Sequence, residues 1–172
     1  MAHQIYLTKG VILKQKDFGE ADRLFWIYTE KFGMIMVSAK GILLEKAKLR
    51  GNLGLFSFGE YAIISSKDFW KLVDAREMFP PRMNYSLKVF AKIAGLIIRM
   101  IKGEEKNKEL WTQLKILFLK LFKENVEKKD LKDLETKSMA AILKTLGYMD
   151  EVPISQSGLI LAINRAIKES ML

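Results

Sequence analysis

The chain contains no cysteine and only one histidine among its 172 residues. Without cysteine, a disulfide framework and a zinc site with thiolate ligands are both excluded, and the composition fits a reducing cytoplasm. The one histidine, His3, lies at a chain end that is expected to fray. A Ser/His/Asp or Cys/His arrangement is therefore not expected, and the sequence predicts no catalytic residue, no metal site and no cofactor.

Phosphate-cradling loops and long hydrophobic runs are missing as well. No GxxxxGK[ST] string occurs, so ATP hydrolysis is not expected. The most apolar stretch, Val89 to Ile101, is interrupted by Lys92 and Arg99, which favours a buried core helix over a membrane span. The N-terminus MAHQIYLTKG has no apolar segment behind a basic start, so no export signal and no membrane partner are expected.

Positive charge is what the chain has in excess. The formal net charge is +9, and 49% of the residues are hydrophobic, enough for one good core or two small ones. A balance of this sign favours a polyanionic partner such as DNA, RNA or an acidic protein tail. Charge alone does not decide among these three partners.

Pro80-Pro81 separates two unlike halves. A proline pair makes a stiff joint, so we expect domains at residues 1–80 and 81–172. Alternating and apolar runs bounded by turn residues predict a five-stranded barrel, with strands at Ile5–Lys16, Arg23–Thr29, Met34–Lys40, Leu55–Ile64 and Phe69–Arg76. Helical periodicity predicts a bundle, with helices at Ser86–Lys102, Lys108–Lys123, Leu131–Leu146 and Gly158–Met171. The fold class is therefore α+β, with the strands first.

The second helix is expected to bury a stripe made of Leu110, Leu114, Leu117 and Leu121. For the third helix, Asp130 is the expected N-cap and Gly147 the expected residue after its end.

The segment Gly33–Arg50 joins an apolar strand to a cationic loop. Beyond Gly41, the loop carries Lys46, Lys48 and Arg50 against Glu45 alone. A cationic loop held on a rigid strand can follow a phosphate backbone, because each neutralised phosphate releases condensed counterions. The alternative is an ordinary solvated loop, since charge runs are usually solvated surface.

Two acidic clusters could be functional sites, but each also has a structural explanation. Asp130, Asp133 and Glu135 are similar to a metal-binding set of carboxylates. Asp133 lies four residues before Lys137 on a predicted helix, however, and this spacing predicts a surface ion pair. Glu20 and Asp22 lie where the first turn meets the second strand, so we expect their side chains to make turn or cap contacts. A metal-dependent nuclease is accordingly the least favoured function.

Aromatic residues are concentrated in the strand half of the chain. Most of them are expected in the core, because small sheets bury aromatic side chains. Tyr28 and Trp70 are the best candidates for exposed rings that stack on bases.

Three strings carry a resemblance to a known family. They are GVILKQKDFGEADRL at 10–24, YTEKFGMIMVSAKG at 28–41 and NLGLFSFGEYAI at 52–64. In order and spacing they resemble the RecO family of bacterial recombination mediators. The resemblance implies an N-terminal OB-fold, a helical C-terminal domain and a non-enzymatic, cytoplasmic, nucleoid-associated protein. It also implies binding of single- and double-stranded DNA, strand annealing, and loading of recombinase onto strands coated by single-strand-binding protein. The implied protein partners are RecR and the acidic tail of that coating protein.

The resemblance reaches individual positions only at Lys40, Gly41 and the turn Glu20–Arg23. From these and the charge pattern we infer a DNA surface made of Lys14, Lys16, Arg23, Lys40, Lys46, Lys48 and Arg50, with Tyr28 and Trp70 for base stacking. Two features depart from the family. Many members have a four-cysteine zinc module, which a chain without cysteine lacks, and here the apolar Ile42–Leu44 precede the loop cations.

A second function comes from the helical half. There the sequence offers a basic face that could dock an acidic protein tail, made of Lys88, Lys92, Arg99, Lys115 and Lys120. In this alternative the protein is an adaptor, and its DNA binding is only residual.

Overall fold

The fold is known from a computed structural model that describes residues 4–66, 69–82, 85–101, 103–124 and 126–170. His3 lies outside these residues, as do Lys67 and Asp68, which fall between the fourth and fifth predicted strands. The strands are β1 (Ile5–Phe18), β2 (Asp22–Thr29), β3 (Gly33–Ala39), β4 (Phe58–Ile64) and β5 (Trp70–Phe79). The helices are α1 (Tyr85–Met100), α2 (Lys108–Phe122), α3 (Leu131–Thr145) and α4 (Gln156–Glu169), with a short 3-10 helix at Arg50–Asn52. Strands precede helices, so the predicted α+β class is confirmed.

The strands close into a barrel in the order β1-β2-β3-β5-β4. Neighbouring strands are antiparallel except for β3 and β5, which run parallel. The long strand β1 serves two neighbours, because its first half pairs with β4 and its second half with β2. This is the five-stranded OB-fold that the sequence predicts.

Alternation along the strands fills the barrel with apolar side chains. Phe25 and Ile27 of β2 face Ile35 and Val37 of β3 inside it, and all four are buried. The opposite face of β2 is covered too, since Leu24 and Tyr28 are also buried. This arrangement explains why β2 is apolar at both alternating sets of positions.

Several predicted boundaries differ from the observed ones. Strand β4 begins at Phe58, three residues later than predicted, because the chain turns at Phe56, which has a φ of 64° and donates its N–H to the Ile12 carbonyl. Helix α4 begins at Gln156, because the Ser155 hydroxyl accepts the Gly158 N–H at 3.2 Å. The predicted ends of the first and last helices, Lys102 and Met171, lie outside the described residues.

The helix ends of α3 show one success and one error. Gly147 has a φ of 77° and closes the helix, as predicted, with N–H bonds from Gly147 and Tyr148 to preceding carbonyls. Asp130 stands at the N-cap position, as predicted, but its side chain makes no capping hydrogen bond. The expectation of a side-chain cap is therefore wrong, and the Asp130 backbone already has helical angles.

The helices bury a broad aromatic and aliphatic stripe. Phe90 of α1 packs against Phe118 and Phe122 of α2, with ring centroids 5.7 and 5.5 Å apart. Leu110 and Leu114 extend the buried stripe of α2 that the sequence predicts. Among the described residues, no helix has the length and apolarity needed to cross a membrane.

The chain divides into two compact units. One contains the barrel up to Pro81 together with Gly103–Lys106, and the other contains the helices. The short segment belongs to the barrel unit through specific contacts, since the indole N–H of Trp70 donates to Glu104 Oε1 at 2.8 Å. Gly33 also lies directly against the Glu105 backbone.

Replacing Gly33 by alanine should destabilise the barrel unit. Gly33 has a φ of 71°, and a Cβ there would overlap the Glu105 carbonyl oxygen, which is backbone and cannot rotate away. We expect Gly33→Ala to lower the free energy of unfolding by more than about 2 kcal/mol. Urea denaturation measures this change.

Gly51→Ala is the matched control for Gly33→Ala. A Cβ at Gly51 would meet no atom within 4 Å. Its effect should therefore stay within about 0.5 kcal/mol, as for an ordinary surface substitution. Equal effects of the two substitutions would contradict the close approach of Glu105.

Candidate nucleic-acid interface

The connection from β3 to β4, residues 40–57, closes one part of the barrel and is called here the β3–β4 segment. Ile42 and Leu53 insert into the barrel core, with exposed fractions of 5% and 4%. Leu43, Ala47 and Leu49 are half-buried against the same core. The apolar Ile42–Leu44 that depart from the family pattern thus have a structural role, because two of the three residues pack on the barrel.

A clasp holds the start of this segment against the β1–β2 turn. The Asp22 carboxylate accepts the N–H of Gly41 at 2.7 Å, and the Leu43 N–H donates to the Ala21 carbonyl at 2.9 Å. Gly41 adopts a φ of 65°, which glycine accepts without strain. The expected turn contact of Asp22 is confirmed, and its partner is the segment that carries the cations.

The cations of the β3–β4 segment all lie on its exposed side. Lys40, Lys46, Lys48 and Arg50 are exposed, while the apolar side chains between them pack on the barrel core, except for the exposed Leu44. Glu45 is the only acidic residue of the segment and is exposed as well. Four positive charges are therefore displayed on a segment whose backbone is held by packing and by the clasp.

A second group of predicted DNA contacts lies on β1 and β2. Lys14 and Lys16 are exposed, and Lys14 Nζ lies 4.6 Å above the ring centre of Trp26 on the neighbouring strand. Arg23 is engaged differently, because its Nε donates to Asp17 Oδ1 at 2.6 Å. Arg23 therefore contributes less net charge to this surface than the two lysines do.

The two aromatic residues expected to stack on bases differ in exposure. Tyr28 has an exposed fraction of 0%, so its ring has no face open to a ligand, and its prediction is wrong. Trp70 is partly exposed; it packs on Phe32 at 4.8 Å and on Tyr6 at 5.6 Å, and its N–H donates to Glu104. The role of Trp70 in stacking stays a prediction.

Residues 1–75, which include β1 to β4 and the first part of β5, match the family model described as Recombination protein O N terminal. Through its barrel, the chain belongs to the RecO family. Its similarity to curated members continues beyond the barrel, over 84% of this chain in two clostridial relatives. The three strings that carry the resemblance lie in the matched part.

Three relatives illustrate the extent of the similarity, all described as DNA repair protein RecO. The Clostridium novyi protein is 29% identical over 149 residues, which are 84% of this chain and 57% of the relative. The Clostridium acetobutylicum protein is 30% identical over 150 residues, or 84% and 58%. The Clostridium perfringens protein is 32% identical over 108 residues, or 60% and 44%. The chain thus spans about half the length of these RecO relatives.

The cations predicted for a helical docking face of this RecO-family chain do not share one face. Lys88, Lys92 and Arg99 follow one side of α1 and are exposed. Lys115 and Lys120 are both exposed on α2, but five helical residues turn the chain so that they point about 140° apart. Lys115 and Lys120 therefore cannot both belong to one face, and the expectation of a single basic face made of five residues is wrong.

The carboxylates of α3 form ion pairs. Asp133 pairs with Lys137 at 2.7 Å, as its i to i+4 spacing predicts, and Glu135 pairs with Lys92 of α1 at 2.7 Å. Among the residues that the structure describes, no group of three histidine, cysteine or acidic side chains is arranged to hold a metal ion.

Substitution of Asp22 tests the clasp. Asp22→Ala removes the acceptor of the Gly41 N–H, so the free energy of unfolding should fall by about 1 to 2 kcal/mol. The exchange of the Gly41 amide hydrogen should also become faster. Asp22→Asn keeps an oxygen acceptor and should lose less than half as much. Unchanged Gly41 exchange in Asp22→Ala would contradict the clasp.

Proposed function

We propose that this protein is a DNA-binding and strand-annealing mediator in DNA repair and homologous recombination. Support comes from its place in the RecO family and from relatives whose name is DNA repair protein RecO. The proposal includes loading of recombinase onto DNA coated by single-strand-binding protein. It also includes RecR and the acidic tail of the coating protein as partners, at the nucleoid of a bacterial cell.

One observation carries the proposal: the cations of the β3–β4 segment are exposed, while its buried apolar side chains hold it against the barrel core. Lys40, Lys46, Lys48 and Arg50 are exposed, whereas Ile42 and Leu53 are buried. Because the backbone is already ordered, binding a phosphate chain costs less conformational entropy than ordering a loose loop would.

The proposed mechanism needs no bond to be made or broken. Two complementary strands repel each other through their phosphates, and cations that neutralise these charges reduce the repulsion while releasing condensed counterions. We propose accordingly that the protein is not an enzyme and acts by charge neutralisation and by holding strands. The OB barrel provides the rigid support, as such barrels do in other oligonucleotide-binding proteins.

Removing three cations of the segment should weaken DNA binding and flatten its salt dependence. For Lys46→Gln, Lys48→Gln and Arg50→Gln combined, the slope of log K against log salt should fall by about 2 units on single strands, if each residue contacts a phosphate. Fluorescence anisotropy across a salt series measures the slope. Annealing of complementary oligonucleotides by the same variant should slow in parallel.

The matched control removes equal charge elsewhere. Lys108, Lys144 and Lys168 are exposed on α2, α3 and α4, and replacing all three by glutamine gives the same net charge. If the segment is the contact, this control should keep most of the slope. Equal effects of the two triple variants would mean that DNA responds only to net charge, and would contradict the assignment to the segment.

A second candidate function is that of an adaptor for an acidic peptide. A groove of about 480 Å³ lies among α1, α3 and α4, and its apolar lining includes Val89, Leu131 and Ile163. Lys92, Lys128 and Lys132 also line this groove, together with Glu135, which pairs with Lys92 and leaves the other two lysines for an acidic ligand. Apolar walls beside lysines suit a peptide that combines acidic with hydrophobic side chains. The groove replaces the single basic face as the physical basis for this function.

A charge placed inside the groove tests the adaptor function. Ile160 lines the groove, whereas the next residue, Leu161, does not line it and is 70% exposed. Ile160→Glu should weaken binding of an acidic peptide with an aromatic end at least tenfold, because the new carboxylate repels it, and Leu161→Glu should change it less than twofold. Isothermal titration with the synthetic peptide measures both.

Peptide binding by the triple variant of Lys46, Lys48 and Arg50 separates the two functions. Affinity that survives in this variant and falls in Ile160→Glu favours the adaptor. If the peptide affinity falls in the triple variant and is unchanged in Ile160→Glu, the adaptor function is contradicted.

A further inference from the structure

The most exposed aromatic ring of the barrel unit's described strands lies at the end of β1. Phe18 has an exposed fraction of 52%. Its ring meets that of Phe69 edge to face, with centroids 6.2 Å apart and planes at 67°. An exposed phenylalanine gains little from burial, so the stability of the fold does not explain this position well. Its partner Phe69 fixes the ring's position while one side stays open to solvent.

Phe18 continues a row of cations on one face of β1. Lys14, Lys16 and Phe18 alternate along the strand and are all exposed, whereas Gln15 between them buries its side-chain oxygen. The register across to β2 is unbroken from Lys14 to Phe18. Two positive charges and an open ring therefore follow each other along one regular strand.

The acidic side chains beside Phe18 are mostly engaged within the protein. Asp17 pairs with Arg23, and Asp22 accepts the Gly41 N–H. Glu20 remains as the acidic residue of the turn with an exposed side chain. The surroundings of the ring are thus compatible with an anionic ligand that also presents a flat apolar surface.

The rings of Phe18 and Phe69 lie in or beside the two connections with which OB-folds bind oligonucleotides. Phe18 ends β1 at the β1–β2 turn, and Phe69 comes directly before β5 in the β4–β5 connection. In OB-folds these two loops, with the face of β2 and β3, bind nucleic acid. Here much of that face is buried at Leu24, Met34 and Ser38, which leaves the loops as the open part.

We propose that Phe18, supported by Phe69, stacks on an unpaired base of a single strand whose phosphates contact Lys14 and Lys16. This inference rests on the proposed DNA-binding function and adds a preference for unpaired bases. A ring can cover a base only when the base's face is free, and in a duplex both faces are covered by neighbouring base pairs. The site therefore distinguishes single strands from duplex, which the cations of the β3–β4 segment do not.

The full-length chain with Phe18→Ala tests the proposal. Affinity for a fluorescent oligothymidine, measured by anisotropy, should fall about 5- to 150-fold, the range expected for loss of one stacked base. Affinity for a duplex of equal length should change less than twofold. The salt slope should stay the same for both ligands, because no cation is removed.

Three variants separate stacking from simpler effects. Phe18→Trp should keep the affinity, and its emission should be quenched when the oligonucleotide binds. Phe18→Leu keeps an apolar side chain without a ring, and should lose affinity almost as Phe18→Ala does. Leu7→Ala removes another exposed apolar residue of β1, 65% exposed, and should have no effect. Urea midpoints identify any variant that is misfolded.

The outcomes distinguish this inference from the function on which it rests. If the unaltered protein binds neither ligand, the proposed function fails and the stacking site fails with it. If it binds both, but Phe18→Ala is unchanged or weakens duplex and single strand equally, only the stacking site is overturned. If Phe18→Leu matches the unaltered protein, the contact is apolar and involves no stacking, which also overturns it.

Discussion

The candidate interface depends on how the barrel is filled where β3 leads into β4. Ile42 and Leu53 complete the core there, so the chain between them cannot move away without exposing apolar surface. That constraint fixes the path of the β3–β4 segment. The lysines between Ile42 and Leu53 lie on the side of the segment that faces solvent. The Asp22 clasp acts on the same segment from the β1–β2 turn. Charge display in this protein is thus a consequence of core packing.

Some cations of the barrel unit form ion pairs with carboxylates, and others do not. Arg23 is paired with Asp17 and Arg76 with Glu60, whereas Lys14 lies over an uncharged indole ring. Exposed ion pairs add little stability, so their main effect here is to remove these arginines from the positive surface. The remaining cations are lysines, with Arg50 as an exception. Lysine binds phosphate as a point charge without a fixed geometry, which suits contacts that ignore sequence.

Much of the fold follows from local patterns, whereas the site depends on distant contacts. Alternation, turn residues and helical periodicity predict the five strands and four helices, because these signals act within a few residues. Tyr28 shows the limit: alternation places it on the outer face of β2, but cannot reveal that this face is also covered. Trp70 shows it again, since its partner Glu104 lies 34 residues away. The exposed position of Phe18 could be inferred from the sequence, because alternation along β1 places it on the same face as Lys14 and Lys16.

Net charge and site geometry contribute differently to binding. Residues 82–172 carry 17 basic against 11 acidic side chains, and residues 1–81 carry 12 against 9, so most of the positive excess belongs to the helical part. If charge alone governed DNA binding, the helices would dominate it. The barrel adds Lys14, Lys16 and the exposed ring of Phe18, which follow each other along one regular strand. Long-range charge raises the rate of encounter, whereas fixed short-range contacts decide which form of the polyanion is retained. In the function proposed here, this division would let a strongly basic chain approach any DNA and still discriminate in favour of unpaired bases.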